Sequence, residues 1–205
     1  MSSLETQHVS LSKRFEDVRE YSRIAGTAQI ARRYLAMNAF DGVLTIIGVL
    51  MGNYVAGVQN AAIVINTGIA TSLAMGVSGL WGAYLTEAAE RERELAELEK
   101  ATLTDLKDTK IGRASRWAVV TVALVDGLAP CVSALIVLSP LFFVTLIGNV
   151  LLTYLISLVI ALLSLFGLGL FLGHVSGHSL LVYGIRTLVA GLVSIALSFL
   201  LGGPA

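Results

Sequence analysis

Behind the paired arginines Arg32 and Arg33 the chain stays apolar for long enough to cross a bilayer, RRYLAMNAFDGVLTIIGVLMGNYVAGV. The few polar positions inside this run are ordered. At helical spacing Asn38, Asp41, Thr45, Gly48 and Gly52 fall on one stripe, at alternating steps of three and four, while Phe40, Leu44, Ile47 and Met51 face elsewhere. The pattern predicts a membrane helix over 35–58 with a lipid-facing apolar side and a narrow side of polar and small residues. Four further apolar runs, over 61–85, 117–138, 144–172 and 180–201, predict four more spans.

Between these runs the pattern changes character. Upstream, Leu11, Phe15, Val18, Ile24, Ala28, Ala31 and Leu35 recur at roughly helical spacing with Lys and Arg in the gaps, as in an amphipathic helix lying in the headgroup region. A helix packed on the protein's own cytosolic surface fits equally well. The second span carries a ridge of small residues, Gly68, Ser72, Gly76, Gly79 and Ala83, which lets helices approach closely in lipid. After Leu85 comes a charged stretch, EAAERERELAELEKATLTDLKDTKIG, read as one helix of about 25 residues and about 37 Å. The organisation expected is therefore a cytosolic amphipathic segment over 1–34, spans one and two over 35–85, a charged cytosolic helix over 86–116, and spans three to five over 117–201. The fold class is all-α, a polytopic membrane protein with five transmembrane helices and a cytosolic charged helix.

Composition agrees: 56% of the 205 residues are hydrophobic, 14% are charged, and mean hydropathy is +0.81, more apolar surface than a soluble domain of this size can bury. One cysteine, Cys131, excludes an intrachain disulfide or a multi-cysteine metal site. The polar start MSSLETQHVSLSKRFEDV is unlike a cleavable signal peptide, and no nucleic-acid motif or phosphate-cradling glycine loop occurs. The formal charge is zero, but its distribution is uneven. Of fourteen Lys and Arg residues, all but Arg186 lie before the first span or between the second and third. The positive-inside rule then puts the N-terminus and the charged helix in the cytosol and the C-terminus outside.

A carboxylate in a membrane helix costs about 2.5–3.5 kcal/mol on insertion scales, so it faces a bundle interior and has either a job or a partner. Asp41 lies about 9 Å inside the cytosolic boundary, and Asp126, in the third span, about 13 Å inside. Asp126 sits one turn from Pro130 in VDGLAP, which echoes the FDGV around Asp41, a weak sign of a duplicated two-helix unit. Arg186 is the only basic residue in the five spans, so an Asp126–Arg186 ion pair is expected, leaving Asp41 to find its counter-charge in a cation or a proton. In the charged stretch Glu87, Glu90, Glu94 and Glu97 share a face, either as a solvated surface or as a row of hard oxygen ligands for a divalent cation. His174 and His178, four residues apart near the cytosolic end of spans four and five, read as interfacial or as ligands.

The runs DGVLTIIGVLMG in span one and GIATSLAMGVSGLWGAYLTEAAERE across span two and the charged helix resemble the vacuolar iron transporter and nodulin-like family. The resemblance extends more loosely over the last three spans. It implies export of Fe²⁺ or Mn²⁺ from the cytosol, commonly in exchange for protons, by a five-span homodimer whose first span lines the path. It also implies that Asp41 is the pathway aspartate and that Glu87, Glu90, Glu94 and Glu97 collect metal on the cytosolic side. Where the family has the methionine of a Ser-Met motif this chain has Gly79, with Met75 one turn away, and the insert Thr86–Arg116 is shorter than the family's metal-binding domain. A divergent prokaryotic branch fits those departures.

Two functions compete on these residues. In the first, a divalent-metal/proton antiporter, Asp41 binds the cation and takes a proton when empty. The pathway then runs past Asp41, Thr45, Asn38, Met75 and Asp126; the partners are a divalent metal ion, protons, the bilayer and a second copy, with no nucleic acid. The metal is cargo and no cofactor is bound permanently. A sulfur ligand from Met75 or Met51 favours Fe²⁺ or Mn²⁺ over Ca²⁺. In the second, the chain is a non-transporting scaffold or subunit whose charged helix docks a cytosolic partner, and both acids are structural. An enzyme is disfavoured, because no nucleophile–base set or metal triad is evident. The expected location is the cell membrane rather than a vacuole.

Overall fold

The computed structural model describes residues 20–202. Among these the chain is all-α, without strands, and forms five helices long and apolar enough to cross a membrane. In chain order they are α1 (Thr27–Val55), α2 (Ala61–Thr102), α3 (Lys110–Leu138), a 3-10 turn (Ser139–Phe143) with the one-turn α4 (Val144–Ile147), α5 (Val150–Ser176) and α6 (Leu180–Leu201). Contacts divide the chain into two compact units, one of residues 1–34 and 80–125, the other of residues 35–79 and 126–205. Residues 1–19, which carry most of the expected amphipathic segment, lie outside the described part.

The larger unit is held by the apolar side of α1. Val43, Ile46, Ile47, Leu50 and Met51 recur at steps of three and one, and all are buried against Val64 of α2, Val137 and Leu138 of α3, and Tyr154 and Leu165 of α5. Two residues expected to face lipid, Ile47 and Met51, are therefore core residues, and Phe40 and Leu44 pack against the same core.

Small residues set the helix spacing. A side chain at Gly42 of α1 would stand 2.7 Å from the Cα of Pro130 and 2.8 Å from its carbonyl oxygen on α3, and one at Gly76 of α2 would stand 2.8 Å from the Gly127 carbonyl. The predicted ridge of α2 thus lies against α3: Gly68 meets Leu138, the Ser72 carbonyl accepts from the Cys131 thiol at 3.2 Å, and Gly79 meets Asp126. Between α5 and α6, Gly169 faces Gly184 in the same way. Helix α6 otherwise buries only Gly184 and Gly191, leaving most of its apolar surface for lipid.

The fourth span starts later than its composition suggests. Pro140 opens a 3-10 turn, Gly148 takes a left-handed conformation (φ +70°), and Asn149 caps α5 by accepting from the Leu152 amide at 3.1 Å. Asn149 is therefore a cap, and residues 144–147 precede the helix.

In the smaller unit a short helical stretch over 20–24 stops at Ala25 and Gly26 (φ +61°) before α1 begins, so the expected continuous amphipathic helix is broken there. The charged stretch is likewise two helices and not one. Helix α2 runs unbroken out of the apolar region for 42 residues and ends at Thr102. Leu103 adopts a left-handed conformation (φ 52°), the Glu99 carboxylate accepts from the Leu106 amide at 2.9 Å, and Asp105 accepts from the Lys107 amide at 3.0 Å. Thr109 then caps α3. These local bonds satisfy backbone groups that a continuous helix would otherwise have paired.

Candidate functional site

In the larger unit the polar stripe of α1 divides between inside and outside. Asn38 is half-buried and its side-chain amide donates to the Asp126 carboxylate of α3, which is 6% exposed. Gly79 of α2 completes this cluster: a Cβ there would stand 3.1 Å from Asp126 Oδ2 and 3.1 Å from its backbone oxygen, a contact tight enough that the carboxylate would have to give by a few tenths of an ångström. Asp41, one turn beyond Asn38, is exposed, with Thr45 and Gly48 half-exposed and Gly52 exposed along the same side. Nothing lies within 4 Å of where a Cβ would stand at Gly48 or Gly52. The chain thus buries the apolar side of its first span and leaves the polar side uncovered from Asp41 onward, the reverse of the expected arrangement.

The expected ion pair between Asp126 and Arg186 is absent. Asp126 is bonded to Asn38, and Arg186 is exposed near the start of α6 with its guanidinium 5.4 Å from the Tyr183 ring centroid. An arginine six residues into a helix can extend along an aromatic face toward the headgroups, and that is cheaper than entering the bundle. Met75 of α2 is half-buried, beside the Gly76 that packs on Gly127. Asn38 and Asp126 are brought together; Asp41 and Thr45 are not part of that buried cluster.

In the smaller unit the glutamate row is tied up by arginine. The Arg91 guanidinium, 12% exposed, donates to Glu87 at 2.9 Å and to Glu94 at 3.1 Å, and its remaining nitrogen donates to the Ala25 carbonyl at 3.0 Å, capping the helical stretch over 20–24. Arg93 pairs with Glu97 at 3.1 Å. Lys110 pairs with Glu20 at 2.8 Å, which holds that carboxyl below its ordinary range. Among the described residues no three His, Cys, Asp or Glu side chains converge as a metal-binding group, so Glu87, Glu90, Glu94 and Glu97 do not form one such group. His174 is exposed, and the His178 ring lies 2.8 Å from the Ser176 carbonyl and against Tyr183. Gly177 (φ +68°) ends the helix between the two histidines.

Two features escaped sequence reasoning. The Asn38–Asp126 bond joins residues 88 apart, and no local pattern marks such a pair. A groove of about 690 Å³ in the smaller unit is lined by Glu92 and Glu99 with Arg91, Lys107 and Arg116, whereas the helical count singles out the neighbouring glutamate row.

A model of the VIT family matches residues 33–113, from Arg33 before the α1 stripe through the charged half of α2 to the start of α3. An uncharacterized protein of Methanocaldococcus jannaschii is 30% identical over 168 residues, covering 80% of this chain and 84% of the relative.

Proposed function

Because the chain belongs to the VIT family, and is thus a multi-pass membrane metal ion transporter, we propose that it exports Fe²⁺ or Mn²⁺ from the cytosol in exchange for protons. The observation that carries this reading is the uncovered stripe of α1. A lipid-facing carboxylate costs about 2.5–3.5 kcal/mol, yet Asp41 is exposed on a side where Thr45, Gly48 and Gly52 leave open space. A second copy meeting this face through a two-fold axis relieves that cost and brings two Asp41 carboxylates to one path. Oxygen ligands from Asp41 suit a hard or borderline divalent cation, and the half-buried Met75 is the sulfur that tilts the choice toward Fe²⁺ or Mn²⁺.

On the cytosolic side Glu87, Glu90, Glu94 and Glu97 gather metal and do not conduct it. Arg91 pairs with Glu87 and Glu94, and Arg93 with Glu97, so an arriving cation competes with a guanidinium for each of these carboxylates. The orientation that serves export has the N-terminus cytosolic, the C-terminus outside and the cell membrane as host, in keeping with the placement of the basic residues.

The test is flux in liposomes of defined internal pH. Asp41→Asn keeps shape and removes charge, and should abolish metal-driven proton movement while the protein still purifies as a stable oligomer. Replacing Glu90, Glu94 and Glu97 by Gln should raise the metal concentration for half-maximal flux and leave a residual maximal rate. Normal transport by Asp41→Asn would sink the path assigned to α1, and absence of metal flux in the native protein would sink the exporter reading.

A further inference from the structure

Among the buried polar side chains described, Thr27, Ser72, Ser133, Thr153 and Ser157 are hydroxyls, and Asp126 alone carries a charge when ionised. Its two carboxylate oxygens have different surroundings. Oδ1 accepts from the Asn38 amide, a neutral donor, while Oδ2 lies beside Gly79, which offers no side chain. The four ion pairs among the described residues all fall within residues 20–110, and the one basic side chain of the later spans, Arg186, is exposed against Tyr183. The ionisable groups on the surrounding helices are few. Helix α2 has none from Ala61 to Ala83. Helix α3 carries Lys110, Arg113 and Arg116 in its first turns, and from Trp117 to Leu138 it adds to Asp126 only Cys131, whose thiol is bonded to the Ser72 carbonyl. Helix α5 has Tyr154, bonded to the Val58 carbonyl, and the exposed His174, and α1 has the exposed Asp41, with the exposed Arg32 and Arg33 and Tyr34 toward its start and Tyr54 near its end. Among the described residues this carboxylate has hydrogen bonding but no paired counter-charge, and the neutral acid is the form such a site tolerates.

From this geometry we propose that Asp126 carries the proton that the transported cation displaces, with Asn38 as the residue that couples it to Asp41. The inference rests on the proton exchange proposed above and moves the proton from Asp41 to the buried acid. Asn38 belongs to both surroundings: it is half-buried, one turn from Asp41 on the open stripe, and bonded to Asp126. A divalent cation arriving at Asp41 places positive charge one helical turn from the Asn38–Asp126 pair and favours the ionised carboxylate. The Asp126 O–H bond then breaks, the proton passes to water in the open stripe, and the carboxylate is held by the Asn38 N–H. When the cation leaves, the proton returns. By linkage the reverse also holds, so a protonated Asp126 weakens cation binding and promotes release.

The experiment uses full-length protein in liposomes, with Mn²⁺ as the probe and separate readouts of metal uptake and internal pH. Asp126→Asn should cut proton counterflow at least tenfold and leave a slower Mn²⁺ flux that ignores an imposed pH gradient, while Asp126→Glu restores the coupling. Proton counterflow that survives in Asp126→Asn overturns the proposal, as does loss of both fluxes in a folded protein, which would make Asp126 part of the cation path. If Asp126→Asn does not fold, Asn38→Leu decides. Removal of the amide should move the pH dependence of Mn²⁺ flux to higher pH, and an unchanged profile overturns the assignment. Native protein that moves Mn²⁺ without protons also overturns it and leaves metal transport standing; native protein that moves no Mn²⁺ defeats the transport reading itself.

Discussion

Adding one methyl group at Gly42 should separate α1 from α3. The new Cβ would stand 2.7 Å from the Pro130 Cα and 2.8 Å from its carbonyl oxygen, and would collide with the Ser133 hydroxyl. The hydroxyl can rotate away, but the backbone of a packed helix cannot. Restoring ordinary contact requires the helices to part by roughly 0.7 Å, a gap that forfeits a quarter to a half of each dispersion well along the seam. Overpacking of this kind costs about 1–3 kcal/mol. The Asn38–Asp126 hydrogen bond, one turn away on the same seam, adds about 0.6 kcal/mol if it is stretched beyond use. Gly42→Ala should therefore lose about 1.6–3.6 kcal/mol in reversible unfolding by denaturing detergent in mixed micelles. Gly167→Ala on α5 is the control, because its Cβ would meet nothing within 4 Å; it should be neutral or gain up to about 1 kcal/mol. Equal stability of Gly42→Ala and the native protein, or an equal loss at Gly167, would refute the view that glycine contacts set the spacing.

Arg91→Ala should release the helical stretch over 20–24, because it removes three charge-assisted bonds from a side chain that is 12% exposed; a loss of about 1.5–3 kcal/mol is expected, with faster hydrogen exchange over 20–30, and Arg91→Lys should not restore it. In the turn after α2, the Lys107 amide bonded to the Asp105 carboxylate lowers that carboxyl from its ordinary value. A lowered folded value means the contribution is complete above the unfolded value, about 3.9, and is lost as pH falls through the lower folded one. Protection of the Lys107 amide, corrected for intrinsic exchange, should therefore stay level from pH 8 to pH 5 and fall only below about pH 4. Cys131, whose thiol is bonded to the Ser72 carbonyl, should react slowly with impermeant maleimides, whereas a cysteine replacing Glu97 should be labelled from the cytosolic side alone; labelling from outside would reverse the assigned orientation.

Much of this protein is written in local pattern. Runs of apolar residues long enough to span a bilayer determined the five helices, because lipid offers backbone groups no alternative partner and forces each segment to satisfy its own. The ridge Gly68, Ser72, Gly76, Gly79 and Ala83 was legible as a close-packing face for the same reason: periodicity within one helix is a local property. Punctuation by single residues was harder to read. The sharp stops at Gly26, at Leu103 and at Gly148 depend on left-handed backbone and on side-chain caps such as Asn149 and Thr109, and these broke segments that composition alone presents as continuous.

What periodicity could not decide was which side of a helix its own chain would cover. An apolar face in a membrane can serve lipid or a neighbouring helix equally well, since lipid tails are as apolar as leucine, so the sequence of α1 left Ile47 and Met51 free to face either. Only the packing of α2, α3 and α5 around them settled it, and the polar stripe with Asp41 was left outside as a result. The choice of partner for Asp126 was tertiary for a related reason. Charge alone selects Arg186, but a long cation near a helix end reaches the headgroups more cheaply than it enters the bundle. A short amide 88 residues away, brought close by Gly42 and Gly79, fills the place instead.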